Sequence, residues 1–183
     1  LAGSMTVYQI QMNGSSSSLI ITNGGSVSTA GRYVVVTLES SGTANSNLVL
    51  VSGPNSVLSP GGFSVGRDGA VNITGYYTGN VYRIENGAVV TNLANVGGVY
   101  IGVAWAGSGS ASKFVGNSMI ISNGGKMFFG GSTIGMGVGL LYNSTSSAAA
   151  ISNNITVAGG GALVRSEEHT SELQSRQYLV CRL

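Results

Sequence analysis

The apolar residues of this chain recur in register along a sequence that is otherwise mostly small and polar. Five segments of nine residues share one pattern, in which the first, third and ninth positions are apolar. In chain order they are LIITNGGSV (19–27), VLVSGPNSV (49–57), YRIENGAVV (82–90), MIISNGGKM (119–127) and ITVAGGGAL (155–163). Apolar residues alternate with period two within each segment and many are β-branched, so we predict strands.

The equivalent positions of the five segments form three apolar columns. The first column is Leu19, Val49, Tyr82, Met119 and Ile155; the second is Ile21, Val51, Ile84, Ile121 and Val157; the third is Val27, Val57, Val90, Met127 and Leu163. Successive units are 30 to 37 residues apart. Self-similarity at such a period is typical of repeat proteins, in which each unit buries its apolar positions against the next.

A second apolar strand is predicted after each of the first four segments: RYVVV (32–36), FSVG (63–66), VYIG (99–102) and STIG (132–135). Short strands in a regular repeat, with no helical period, predict an all-β fold. We expect a right-handed parallel β-helix (solenoid) of about five repeat units, since parallel crossovers are normally right-handed. An antiparallel sandwich is the alternative, but it gives no reason for aligned columns.

Two kinds of polar segment separate the predicted strands. Asn-Gly pairs at Asn23, Asn86 and Asn123 follow a strand, where both residue types tolerate positive φ and stacked Asn side chains can bond along a ladder. Four longer segments, 37–47, 67–80, 103–117 and 136–153, are expected to be irregular insertions on one flank. Thr78 lies in the second of these, so Thr78→Asp is expected to be silent.

The last 19 residues differ from the rest. Residues 165–183 hold six of the 14 charged residues, the only His (His169) and the only Cys (Cys181). The string RSEEHTSELQS resembles the translated read-through of a sequencing-library adapter, with YLVCRL as a second constant part. We therefore divide the chain into a β-solenoid repeat fragment, 1–164, and a non-native tail, 165–183; a charged C-terminal helix with a capping box is the alternative.

The repeats resemble a known bacterial surface repeat over about residues 17–164. The alternation of ITNGGSV…VVV with VSGPNSV…FSVG and ISNGGKM…STIG is similar to the repeat shared by type V autotransporter passengers and PEP-CTERM surface proteins. The resemblance implies an extracellular or outer cell-surface β-helical stalk, whose partners are neighbouring repeats of the same parent chain.

Composition and residue types argue against catalysis. Only 8% of residues are charged, against about 25% in ordinary domains. The best carboxylate pair, Asp68 with Glu85, lies in two different strand contexts, so no catalytic residues are predicted. Without His or Cys outside the tail, no metal or cofactor site is predicted. The net charge of +2 is too small for a nucleic-acid surface, and no apolar run would span a membrane.

Aromatic residues are the one feature with binding potential. Tyr76 and Tyr77 are adjacent, so in an extended chain they face opposite ways and at least one should be exposed; Trp105 lies in the third insertion. Exposed aromatic rings can stack on sugars, although packing on the solenoid flank explains them as well. We expect a structural stalk that is not an enzyme. The alternative is an adhesin or glycan-binding module that uses the insertion flank to bind a surface glycan or host protein.

Overall fold

The computed structural model describes residues 3–29, 33–36, 42–68, 75–92, 98–104, 112–130, 136–139 and 149–166. Within these ranges the regular structure is all-β, without a helix. The strands are β1 (Ser4–Thr6), β2 (Ile10–Met12), β3 (Ser18–Ile21), β4 (Ser26–Ser28), β5 (Tyr33–Val36), β6 (Gly42–Asn45), β7 (Leu48–Ser52), β8 (Val57–Ser59), β9 (Gly62–Asp68), β10 (Gly75–Thr78), β11 (Val81–Glu85), β12 (Val89–Asn92), β13 (Val99–Ala104), β14 (Lys113–Val115), β15 (Ser118–Ile121), β16 (Lys126–Gly130), β17 (Met136–Val138), β18 (Ala149–Ile151), β19 (Asn154–Val157) and β20 (Ala162–Ser166).

The strands form four sheets, and the described neighbours in each sheet pair in parallel. Sheet I has the order β1-β4-β8-β12-β16-β20, sheet II β2-β5-β9-β13-β17, sheet III β6-β10-β14-β18 and sheet IV β3-β7-β11-β15-β19. Unit 1 is β1–β3, and units 2 to 5 are β4–β7, β8–β11, β12–β15 and β16–β19. In units 2 to 5 the chain visits the sheets in the order I, II, III, IV, whereas the described strands of unit 1 lie in sheets I, II and IV. After unit 5, β20 returns to sheet I and pairs with β16. Parallel strands in stacked sheets agree with the predicted β-helix and exclude the antiparallel sandwich.

The register confirms the first two apolar columns and corrects the third. Leu19 and Ile21 pair with Val49 and Val51, and the same ladder continues through the later units. In the third column, however, Val27 pairs with Leu58 and not with Val57. Leu58 is fully buried, whereas Val57 is only half-buried.

The turn of unit 2 explains this shift. In the other units a four-residue turn has two central residues with positive φ, such as Asn23 (55°) with Gly24 (74°), as a type I′ turn requires. In unit 2 the turn is closed by a hydrogen bond from the Ser56 N–H to the Gly53 carbonyl. Its two central residues are Pro54 and Asn55, and of these only Asn55 has a positive φ (65°). This is the type II pattern, and the turn has four residues like the others. The extra residue of unit 2 is Gly53 (φ 95°): Ser52 still pairs with Glu85, the first residue of the unit 3 turn, so one residue is added between the second and third columns.

The expected insertions are shorter than predicted, because each contains a strand of sheet III. The strands β6, β10, β14 and β18 lie in segments that we expected to be irregular. The second strand of unit 5 is also displaced: Met136–Val138 pairs with Val99–Ile101, whereas the predicted STIG (132–135) lies outside the described residues. Thr78 belongs to β10, and its hydroxyl donates to Asn45 Oδ1 (2.8 Å), so the expectation that Thr78→Asp is silent is not supported.

The inward side chains of the four sheets form two apolar clusters. The larger joins sheets I, II and IV and contains the three corrected columns together with Val34, Phe63, Val65, Val99 and Ile101. The smaller lies inside sheet III and consists of Ala44, Tyr77 and Phe114, with Ala150 packed against it. Burying a large apolar side chain contributes about 1.5–3 kcal/mol, so these columns are the main stabilising feature of the fold.

Candidate functional site

The two adjacent tyrosines face opposite sides of sheet III, as predicted. Tyr77 is only 2% exposed, and its ring stacks on Phe114 with centroids 5.0 Å apart and an interplanar angle of 26°. Tyr76 is 43% exposed on the outer face, where Lys113 of the next strand places its Nζ 5.8 Å from the ring centroid. Tyr77 therefore serves packing, and of the two tyrosines Tyr76 is the one whose ring is exposed. Trp105 lies outside the described residues.

The carboxylates do not form a described catalytic pair. Glu85 of β11 faces outward beside Arg83, whose Nε lies 3.8 Å from the Glu85 Oε2. With the Arg83 side chain 48% exposed, such an ion pair contributes little to stability. Asp68 ends β9 in sheet II, a different sheet from that of Glu85. Among the described residues there is no group of three or more His, Cys, Asp or Glu side chains that could hold a metal ion; His169 and Cys181 lie beyond the described ranges.

The most regular polar feature of the described residues is a ladder of four asparagines between sheets III and IV, three of them buried and the last, Asn153, half-buried. Its members are Asn47, Asn80, Asn117 and Asn153, one from each of units 2 to 5. Asn47 Nδ2 donates to Asn80 Oδ1 (2.9 Å), Asn80 Nδ2 to Asn117 Oδ1 (2.8 Å), and Asn117 Nδ2 to Asn153 Oδ1 (2.9 Å). We call these four residues the asparagine ladder.

Each amide of the ladder also bonds to the backbone. The Nδ2 of Asn117 donates its second hydrogen to the carbonyl of Tyr77 (2.9 Å), and its Oδ1 accepts from the backbone N–H of Asn80 (3.3 Å). In the same way, Asn80 Nδ2 donates to the carbonyl of Ala44, and Asn80 Oδ1 accepts from the backbone N–H of Asn47. Because buried polar groups are costly unless paired, these bonds allow an amide to occupy a fully buried corner.

Sequence reasoning missed this ladder, although a signal was present. Each ladder residue lies two positions before the first apolar column, so that Asn47 precedes Val49 and Asn117 precedes Met119. Unit 1 has Ser17 at this position, and its backbone N–H donates to Asn47 Oδ1 (2.9 Å). We had expected the side-chain ladder at the Asn-Gly turns. There the positive φ of Asn23, Asn86 and Asn123 is confirmed. Of these three Asn side chains, however, only Asn86 has a described hydrogen bond to another unit, from its Nδ2 to Ser52 Oγ (3.0 Å).

The core also contains a polar atom without a partner. Tyr82 occupies the first apolar column, with its ring centroid 3.9 Å from that of Phe63, and no hydrogen bond to its hydroxyl is found in the described part of the chain. Complete burial raises the pKa of the Tyr82 hydroxyl well above its usual value of 10.0. An unpaired buried hydroxyl at this site weakens the core.

The comparisons with known proteins add no family to this description. No protein-family model matches the chain, and no curated protein or solved structure is significantly similar to it. A search of the described residues for a helix long and apolar enough to cross a membrane finds none.

Proposed function

We propose that this chain is a right-handed parallel β-helix that serves as an extended structural stalk of a secreted or surface-exposed bacterial protein of the autotransporter-passenger type. The observation that carries the proposal is the continuous register of all four sheets through successive units, reinforced by the asparagine ladder. In such a fold length grows with each unit while the cross-section stays constant, which is the property that a spacer needs. Right-handedness follows from the general preference of parallel crossovers.

Residue chemistry supports a structural role over an enzymatic one. The described charged side chains are few and lie on the outside of the sheets: Arg83, Glu85, Lys113 and Lys126. The buried polar residues, such as Asn80 and Asn117, form their hydrogen bonds with neighbouring units and do not face an open cleft. The proposed location is extracellular or at the outer cell surface, and the proposed partners are neighbouring repeats of the same parent chain.

Unit duplication tests the stalk directly. Leu48 and Val81 are register partners, so a second copy of residues 48–80 inserted between Asn80 and Val81 keeps every strand in register. Spin labels at Ser18→Cys and Asn154→Cys, in a Cys181→Ser background, report the two ends of one column of sheet IV. Strands in a sheet are about 4.8 Å apart, so the label distance should rise by about 5 Å for each added copy. Aggregation or an unchanged distance would contradict the proposal.

A register-shifted copy provides the control. The same insertion lacking Val49 moves each later residue of the copied β7 by one position, which turns its apolar set to the outer face. This variant should fail to fold cooperatively. If both insertions fold equally well, the stacked columns do not determine the structure.

An adhesin or glycan-binding module is the second candidate, favoured by where the longest connections lie. The links from sheet II to sheet III run from Val36 to Gly42 in unit 2 and from Val138 to Ala149 in unit 5, whereas those from sheet III to sheet IV have only two residues. Tyr76 lies on the sheet that these long links enter. A glycan array separates the candidates: the stalk predicts no binding, whereas the adhesin predicts binding that Tyr76→Ala removes and Arg83→Ala retains.

A further inference from the structure

The four Asn-Gly pairs of the chain differ in how the backbone N–H of their glycine is held. The asparagine side chains are all exposed, so exposure does not distinguish the pairs; they are Asn13, Asn23, Asn86 and Asn123. An asparagine followed by glycine readily converts itself to aspartate, because glycine has no Cβ to hinder the backbone nitrogen that attacks the amide. The state of that nitrogen therefore decides which pair reacts.

The conversion has two steps, and its only co-reactant is water. In the first, the glycine N–H loses its proton to solvent and the nitrogen attacks the asparagine Cγ. The new N–Cγ bond closes a succinimide ring, the Cγ–Nδ2 bond breaks, and the amide nitrogen takes up protons and leaves as ammonia. In the second, water adds to either ring carbonyl and opens the ring to aspartate or isoaspartate. A glycine N–H that donates a hydrogen bond must first release its acceptor, so the reaction waits for local opening.

Two of the pairs are held by backbone carbonyls of the following unit. The Gly87 N–H donates to the carbonyl of Asn123 (3.1 Å), and the Gly124 N–H donates to the carbonyl of Gly159 (3.1 Å). Both acceptors are main-chain atoms within turns of the stack. These bonds therefore break only when adjacent units separate.

The pair at Asn23 is held by a side chain instead. The Gly24 N–H donates to the Ser56 Oγ (3.1 Å), which belongs to the type II turn of unit 2. Ser56 is fully buried, so its hydroxyl is shielded from competing water. Protection of Asn23 depends on this one hydroxyl, and a substitution can remove it without changing the backbone.

The pair at Asn13 lies in a connection outside the sheets. Residues 13–17 join β2 to β3, and unit 1 has no described strand in sheet III. The Gly14 carbonyl accepts from Asn47 Nδ2 (2.7 Å), but no acceptor for the Gly14 N–H is found among the described residues. Gly14 is exposed, and the space beside it is open, since a Cβ there would meet only the Ser17 Oγ, at 3.8 Å. No described bond to another unit restrains this nitrogen.

We propose that Asn13 is a self-modification site, at which the folded chain forms aspartate and isoaspartate without an enzyme. The hydrogen bond from the glycine N–H to the adjacent unit keeps the other three asparagines, Asn23, Asn86 and Asn123, as amides. Isoaspartate adds a methylene to the main chain, which the connection at Asn13 has room to accommodate. This inference rests on the hydrogen bonds of the Asn-Gly pairs and not on the stalk function.

Peptide mapping by mass spectrometry measures all four sites in one experiment. The full chain is aged at mildly alkaline pH, with and without urea, in water labelled with heavy oxygen. In urea all pairs should react at similar rates, and each product should contain one labelled oxygen, as opening of a succinimide requires. In buffer Asn13 should react at nearly its rate in urea, whereas Asn86 and Asn123 should be slowed by more than about tenfold. Equal slowing of Asn13 and Asn123 in buffer would overturn the proposal.

Removal of the Ser56 hydroxyl tests whether the glycine N–H carries the protection. Ser56→Ala takes away the acceptor of Gly24 and should speed conversion of Asn23 by about two- to tenfold, the factor that one hydrogen bond supplies. The rate at Asn123 should not change, since Gly124 keeps its acceptor. Far-UV circular dichroism establishes that the variant is folded; Ser56→Cys, whose thiol is a weak acceptor, replaces it if it is not. An unchanged rate at Asn23 in the folded variant contradicts the proposal.

Ser52→Ala is the matched control in the same unit. It removes the bond that Asn86 Nδ2 donates to Ser52 Oγ (3.0 Å) but leaves the Gly87 N–H on its carbonyl acceptor. Conversion of Asn86 should therefore stay as slow as in the unsubstituted chain. If Ser52→Ala speeds Asn86 as much as Ser56→Ala speeds Asn23, freedom of the amide side chain controls the reaction and the proposed protection is wrong.

Discussion

Units 3 and 4 of this chain each contain two corners built with asparagine, one before and one after the sheet IV strand, and the two corners use the residue differently. Before the strand, Asn80 and Asn117 are fully buried and bond to adjacent units through their side chains. After the strand, Asn86 and Asn123 are exposed and provide a backbone at positive φ. The same residue type therefore joins units through a buried side-chain ladder at one corner and mainly reverses the chain at the other, where the exposed bond from Asn86 to Ser52 is the described Asn side-chain contact between units.

The strand between the two corners should respond most strongly to substitution. Ile121 is fully buried in the second column, whereas its neighbour Ile120 faces outward and is half-buried. Ile121→Asp places an unpaired carboxylate among apolar side chains and should abolish cooperative folding. Ile120→Asp is the matched control and should cost no more than about 2 kcal/mol in the free energy of unfolding. Thermal and urea unfolding of both variants measure the difference, and equal tolerance would show that the columns do not form a core.

The buried asparagine corner should be next in sensitivity. Asn117→Asp keeps the shape of the side chain but replaces the Nδ2 donor with a buried carboxylate, which removes the bonds to Tyr77 and Asn153. Leaving a buried charge without a partner costs about 3–5 kcal/mol. Asn86→Asp, at the exposed corner, should change stability by less than about 0.5 kcal/mol. Urea unfolding at pH 7 gives both values. Similar losses at the two corners would contradict the distinction between them.

At the exposed corner, the residue that packs closely against the adjacent unit is a glycine, whereas the asparagine side chain is exposed. Gly125 closes the turn of unit 4, and a Cβ there would overlap the backbone carbonyl of Ile84 in the adjacent unit 3. Gly125→Val should therefore destabilise the chain by about 2–3 kcal/mol, in the range of other overpacked sites. Gly116→Val is a useful contrast, because a Cβ at Gly116 meets no atom within 4 Å, although its positive φ of 64° still imposes some strain. The urea midpoint of Gly125→Val should be the lower of the two.

These columns, turns and corners differ in how well the sequence predicts them. The first two columns are predictable because apolar residues recur at a fixed offset from the Asn-Gly turn. Val57 was the wrong member of the third column, since unit 2 has one extra residue, Gly53, between the second and third columns. Sheet III was missed because its inward positions mix small and aromatic residues such as Ala44 and Tyr77 in polar surroundings. The asparagine ladder was missed because an amide is buried only where its partners lie in other units, which one unit alone does not reveal.

The smallest expected effect is a gain in stability. Tyr82→Phe removes a buried hydroxyl that has no described partner and should increase the free energy of unfolding by about 1 kcal/mol. The raised pKa of Tyr82 adds a pH dependence. Below pH 10 the hydroxyl is neutral in both states, and above it the unfolded state loses its proton first. Stability should then fall by up to about 1.4 kcal/mol per pH unit, and Tyr82→Phe should lack this part of the loss. A lower stability for Tyr82→Phe at pH 7 would mean that the hydroxyl has a partner.

A pair of double-mutant cycles tests most directly whether the buried asparagines join the units. The first cycle combines Asn80→Ala with Asn117→Ala, whose side chains bond at 2.8 Å. The second combines Asn86→Ala with Asn123→Ala, two turn residues of adjacent units, where the backbone N–H of Gly87 donates to the carbonyl of Asn123 (3.1 Å). We expect a coupling energy of about 1–3 kcal/mol in the first cycle and less than about 0.5 kcal/mol in the second. Additive losses in the first cycle, or equal coupling in both, would contradict the account.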